Sequence, residues 1–225
     1  MRQHIPNIIT CLNLFSGCVG VVFALNGELE ATAYCVVLSG IFDFFDGLAA
    51  RALGVHNPIG KQLDSLADVI SFGLVPGAVL FFMLKAAVPT AAYLPYFGFL
   101  VAVFSALRLA KFNIDERQTT DFIGLNTPTN AFYVVSLPFI AQSYGDIIYH
   151  PAFLVGSVLV TSLLLVSEVR LFSLKLSSFG WHSNKWKFIF IIISILLIAL
   201  LKFAAVPVVL VLYFLFSYVH FKSIP

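Results

Sequence analysis

Eight apolar stretches, each close to the length needed to cross a lipid bilayer, leave this chain few ways to fold. They run at approximately 8–25, 31–51, 62–86, 92–113, 127–144, 151–167, 187–203 and 205–222. A bilayer core requires roughly 20 apolar residues in helical form. A helix also satisfies all its backbone hydrogen bonds within one segment, which lipid demands. The sequence therefore predicts an all-α polytopic membrane protein of about eight transmembrane helices. Only the short stretch 202–207 separates the last two spans, so one long kinked hairpin is the alternative there. Charged residues make up 11% of the chain, against about 25% in soluble domains, too few to cover a soluble fold of this size. A single transmembrane catalytic domain is expected over 1–225, with a core at about 1–167 and two additional helices at about 187–222. No low-complexity segment or fixed-period repeat interrupts it.

The first stretch follows a basic residue, as a signal peptide would. It contains Asn13, Ser16 and Gly17, however, and no clear small-x-small cleavage site follows. It reads as a first transmembrane helix that is retained. Cys11, Cys18 and Cys35 form no CxxC and have no histidine at ligand spacing, so they read as small core residues or unpaired thiols.

Net charge is +2 and no basic run is dense, so no nucleic-acid partner is expected. With the eight spans alternating and both termini on one side, only Lys85 and Lys202 of the 13 Lys and Arg residues fall on the other side. The positive-inside rule then places both termini in the cytoplasm, in a cytoplasmic (inner) membrane. The longer loops, near 114–126 and 168–186, share that side and are where function is expected. Trp181 and Trp186 fit an interfacial aromatic belt. His182, Lys185 and Lys187 fit positions beside anionic lipid. His56 reads as a solvated turn residue.

The chemistry concentrates in residues 42–73, FDFFDGLAARALGVHNPIGKQLDSLADVISFG. Asp43 and Asp46 stand i,i+3 and Asp64 and Asp68 stand i,i+4, so each pair shares a helical face. Gly54, Asn57, Pro58 and Gly60 predict a turn between the two helices, which would run antiparallel and bring the pairs together. Four clustered carboxylates repel one another and resist ionising together. Divalent cations relieve this, and an all-oxygen set suits magnesium or manganese, with calcium possible. Gly47 and Ala50 leave room for a bulky ligand, and Arg51 offers a planar cation suited to phosphate. Structural ion pairs and a cation relay in a transporter are the alternative readings, although a relay more often places isolated acids at mid-helix.

The pattern Asp43-x2-Asp46-Gly47-x2-Ala50-Arg51-x8-Gly60-x3-Asp64-x3-Asp68 resembles the signature of the CDP-alcohol phosphotransferase family at every fixed position. The resemblance implies that Asp43, Asp46 and Asp64 chiefly ligate one or two metal ions. Asp68 would be the general base and a further metal contact. Gly47, Ala50, Arg51 and Gly60 would contact the cytidine diphosphate part, joined by Asn7 and Thr10, whose other reading is capping of the first helix.

Further segments look like one branch, the CDP-diacylglycerol–serine O-phosphatidyltransferases. They are Pro6-Asn7-Ile8-Ile9-Thr10 with Asn13-Leu14 and Gly17, then Ser71-Phe72-Gly73 with Pro76, then Arg108-Leu109-Ala110-Lys111-Phe112-Asn113, and Phe122-Ile123-Gly124-Leu125. Two positions depart from that branch: Asn126 follows Leu125 where a proline is usual, and Lys111 stands for an arginine. The branch implies CDP-diacylglycerol and L-serine as substrates, a bilayer-embedded site and a homodimer. Arg108 and Lys111, i,i+3 at the end of the fourth span, either bind the acceptor's carboxylate or a lipid phosphate, or anchor the helix by snorkelling.

Overall fold

The computed structural model describes residues 4–55, 58–117, 121–173 and 181–223, with backbone only at 181–183. Arg2, His56, Asn57 and Lys175, and the side chains of Trp181 and His182, lie outside the described residues. Helices α1 (Ile5–Leu25) and α2 (Leu29–Leu53) come first. Then α3 (Pro58–Asp68) runs through a π-helical turn, Val69–Leu74, into α4 (Val75–Ala87). A 3₁₀ segment, Leu94–Phe99, leads into α5 (Leu100–Ile114). After β1 (Phe122–Ile123) come α6 (Thr127–Ile148), α7 (Pro151–Val166), β2 (Arg170–Leu171), α8 (Trp181–Leu201) and α9 (Ala205–Ser223).

All eight expected stretches are helical, and the chain is an integral membrane protein. Among the described residues, six segments are long and apolar enough to cross a membrane, and the last of them is Asn184–Ser223. The 16-residue α7 is apolar but shorter. Asn184–Ser223 is not one continuous helix. It breaks at Lys202–Ala204, where Lys202 takes φ 52°. Trp186 Nε1 donates to Ser223 Oγ at 3.1 Å and the Phe190 ring lies 5.6 Å from that of Tyr213, so α8 and α9 form an antiparallel hairpin. Pro58 and Gly60, expected in the turn, instead belong to the first turn of α3. Proline has no N–H to lose at a helix start and its fixed φ suits one.

The core centres on α4, where Val75, Ala78, Val79, Leu80, Met83 and Leu84 are fully buried. The outward faces stay apolar: Phe15 on α1 and Leu200 on α8 are 68% and 77% exposed. Lipid adds little hydrophobic drive between helices, so their contacts depend on close approach and interhelical hydrogen bonds. A Cβ at Gly17 would run into Ser71 Oγ. That approach lets Ser71 and Ser39 both donate to the Asn13 carbonyl, at 3.0 and 3.2 Å, and tie α1 to α2 and the π turn. The π turn has its own cause. Pro76 offers no N–H to the carbonyl four residues back, and the turn widens so that the Val75 N–H reaches Ile70 O.

Gly17→Val is expected to destabilise the protein by roughly 1–3 kcal/mol, the cost of overpacking, read as a lower melting temperature in detergent. Gly156→Ala, where an added Cβ meets nothing within 4 Å, is expected to leave the melting temperature unchanged or slightly raised.

Candidate functional site

Helices α2 and α3 bring the two aspartate pairs to the end of the bundle where α1 begins. Carboxylate oxygens of Asp43, Asp64 and Asp68 all lie within 4.8 Å of one another. Asp68 is 8% exposed, and its Oδ1 takes the Asn13 amide at 3.5 Å. Asp46 stands apart from the trio. Its Oδ2 accepts from Thr10 Oγ1 at 2.7 Å. Thr10 is not a helix cap, because α1 already begins at Ile5.

Among the described residues, the ion pairs join Arg117 to Asp115 and to Glu168. None involves the four aspartates, so the reading of these acids as structural ion pairs finds no support. Three converging carboxylates with no direct ion pair among the described residues, all hard oxygen donors, fit a divalent cation of the magnesium or calcium type.

Beside the trio lies a cavity of about 480 Å³ lined by Pro6, Asn7, Thr10, Asp46, Gly47, Ala50, Val55, Pro58, Gly60, Lys61 and Asp64. Asn7, Thr10, Gly47, Ala50 and Gly60, which the sequence grouped, thus share one wall system. Arg51 does not line the cavity. Its side chain is exposed, and Nη1 lies 3.6 Å from where a Cβ at Gly47 would stand. Nothing else lies within 4 Å of that point. The protein's own packing therefore does not require glycine at 47, whereas a ligand approaching the helix backbone would.

Two residues of this region were missed from sequence. Asn13 reads from sequence as a polar interruption of the first span and as part of the branch-like Asn13-Leu14 and Gly17 segment, with no role at the site, and its amide pointing at Asp68 depends on how α1 is rotated. Lys61 was counted only as a basic loop residue. It lines the cavity, and its Nζ donates to Asn113 O at 3.0 Å. Asn113 Nδ2 donates to Ser65 Oγ at 2.8 Å, so the end of α5 is fastened to α3.

A second cavity, about 320 Å³, lies on the α5 side and is lined by Arg108, Lys111, Ile114, Asp115, Arg117, Ile123, Leu165, Val166, Ser167 and Glu168. Arg108 is only 6% exposed, so it is not a snorkelling anchor. Its guanidinium sits 4.9 Å from the Phe112 ring centre, its Nε has no hydrogen-bond partner, and its charge acts on Asp68. Lys111 is exposed. The cavity thus carries both signs of charge. At its mouth, hydrogen bonding to Asp115, with that carboxylate's charge and Glu168's, holds the Arg117 pKa above its ordinary value.

A model of the CDP-alcohol phosphatidyltransferase family matches residues 3–163. The chain belongs to that family. The matched region holds the aspartates and the cavity beside them, and stops within α7, before β2 and the α8–α9 hairpin. Among curated relatives, a CDP-diacylglycerol--serine O-phosphatidyltransferase of Bacillus subtilis (strain 168) is 31% identical, covering 75% of this chain and 89% of the relative. One of the same name from Helicobacter pylori (strain J99 / ATCC 700824) is 29% identical, covering 96% and 90%. An archaetidylserine synthase of Methanothermobacter thermautotrophicus is 31% identical, covering 74% and 68%.

Gly47→Ala is expected to leave the melting temperature unchanged or raise it, since alanine is favoured over glycine inside a helix by roughly 0.5–1 kcal/mol. The same change is expected to weaken binding of a CDP-lipid, measured by titration into the detergent-solubilised protein. Equal affinity in both forms would show that no ligand approaches this face of α2.

Proposed function

We propose that this chain transfers the phosphatidyl group of CDP-diacylglycerol to the hydroxyl of L-serine, giving phosphatidylserine and CMP, on the cytoplasmic face of the inner membrane. The observation that carries the reading is the aspartate trio, which reaches one cavity through Asp64 and feels the charge of Arg108, a residue lining a second. One cavity is walled by small residues and edged by Arg51. The other holds a buried arginine among charges of both signs. The names of the relatives point to the same reaction.

The first cavity would receive cytidine diphosphate, with Asn7, Thr10, Gly47, Ala50 and Gly60 as its walls. Arg51 at the rim would add positive charge toward the pyrophosphate. Asp43, Asp64 and Asp68 would hold a divalent ion, with Asp46 as a further ligand from the cavity side. One or two magnesium or manganese ions bound there would supply Lewis-acid polarisation of the pyrophosphate and neutralise charge on departing CMP.

The serine oxygen bonds to the phosphorus of the phosphatidyl group, and the bond from that phosphorus to the CMP oxygen breaks. Asp68 takes the hydroxyl proton at a carboxylate oxygen, and the Asn13 amide orients it. Serine itself carries a carboxylate and an ammonium. Arg108 and Lys111 answer the first; Asp115 and Glu168 answer the second. A phosphorylated acceptor such as glycerol 3-phosphate would also be drawn by Arg108, Lys111 and Arg117, so the preference for serine over it rests on the relatives' names, while inositol would leave the charges unanswered.

The purified protein, given CDP-diacylglycerol and magnesium or manganese, is expected to release CMP with serine, and far more slowly with glycerol 3-phosphate or inositol. Chelation should abolish the release. Asp68→Asn should lower it roughly 10²–10⁴-fold, the range for a lost general base. Release with another alcohol but not serine would overturn the acceptor assignment. No release with any alcohol, with cation flux in liposomes instead, would favour a transporter.

A further inference from the structure

The α8–α9 hairpin lies outside the region that carries the family match, yet α9 holds one wall of the Arg108 cavity in place, chiefly through Phe172, which shares a buried cluster with Leu125, Leu171, Leu210 and Tyr213. Phe172 is fully buried. Its N–H donates to Ser217 Oγ at 3.3 Å and its carbonyl accepts from Tyr213 O–H at 2.7 Å. Its ring packs edge-on against Tyr213 and His220, with centres 5.2 and 5.7 Å away. Tyr213, Ser217 and His220 are spaced i, i+4, i+7, one face of α9. Both backbone groups of Phe172 are therefore held by one stripe of α9, while its ring also meets Phe190 of α8 at 5.6 Å.

Phe172 directly follows β2, which pairs with β1 in the register Phe122↔Leu171 and Ile123↔Arg170. Two-residue strands do not hold together unaided. The far end of this small ribbon is fastened to α7. Gly124 N–H donates to Val169 O at 2.8 Å and Leu125 N–H to Leu164 O at 2.9 Å. Gly124 has φ 76°, and a Cβ there would meet Leu165 O at 2.7 Å, so no other residue fits. Ile123 and the segment from Leu165 to Glu168 face the cavity that Arg108 and Lys111 line.

We propose that Tyr213 and Ser217 are positioning residues for the acceptor. By fixing Phe172 they fix the β1–β2 wall against Arg108, and so set the acceptor's fit without touching it. The proposal rests on the reading of this cavity as the acceptor's site.

Tyr213→Phe keeps the ring and leaves the Phe172 carbonyl without its partner. Ser217→Ala does the same to the N–H, and Ser217→Thr restores a hydroxyl. In CMP-release assays of the full chain, Tyr213→Phe and Ser217→Ala are each expected to raise the KM for serine ~10-fold, within the range for a buried polar group left unpaired. The KM for CDP-diacylglycerol and kcat should stay within about twofold, and Ser217→Thr should return toward the parent KM. An unchanged serine KM in both variants, or a fall in kcat alone, would overturn the proposal. Lys111→Gln separates the two levels of inference. If it raises the serine KM and the α9 variants do not, only the positioning role fails. If it too leaves the serine KM unchanged, the acceptor cavity is misassigned and the positioning role falls with it.

Discussion

Repulsion among carboxylates held inside a lipid-embedded helix pair is the constraint on which the rest of this structure depends. An aspartate at the centre of a membrane helix costs roughly 2.5–3.5 kcal/mol on insertion scales, and less toward the interface. Four of them placed together add mutual repulsion to that cost. The protein sets no lysine or arginine in an ion pair with them among the described residues, and Arg108 acts on Asp68 only through its charge. It offers instead one hydroxyl to Asp46 and one amide to Asp68. Such an arrangement is stable chiefly when something positively charged enters from outside, which supports the reading of the site as one for a divalent metal ion.

The surrounding scaffold keeps those groups converged. Small residues let α1 lie close against the π turn that follows Asp68. The Asn13 carbonyl accepts two serine hydroxyls on one side of α1, while its side-chain amide serves Asp68. The same residue is therefore both a fastening between helices and part of the site. A change there would disturb packing and chemistry together. Lys61 plays a similar double part, fixing α5 to α3 through Asn113 while lining the cavity beside the trio.

Much of this was legible in the sequence, for a physical reason. Membrane helices declare themselves by length and hydrophobicity, so the existence and order of the eight stretches were legible, with ends off by up to about six residues, as where α8 begins at Trp181 and not near 187. The spacing of Asp43 to Asp68 fixed which acids share a face. Rotation and depth were not legible. The sequence treated the four aspartates as one set, with Asp46 among the chief metal holders. The structure instead groups Asp43, Asp64 and Asp68 and turns Asp46 toward Thr10, which depends on how α1 seats against α2. Arg108 left two readings open because burial at a helix end cannot be inferred from position alone. The seating of Phe172 on α9 joins residues more than 40 positions apart through backbone groups, and no side-chain pattern announces such a contact.

Direct measurement of ion binding tests the central claim most plainly. Manganese can be titrated into the purified protein in detergent and the bound ion followed by electron paramagnetic resonance. If the converging carboxylates are a metal site, the parent protein binds manganese with a defined stoichiometry of one or two ions. The Asp43→Asn, Asp64→Asn double variant, folded to the same melting temperature or higher because two half-buried repulsive charges are gone, loses that bound signal. The same manganese signal in both proteins, at the same stoichiometry, would contradict the claim that these aspartates exist to hold metal.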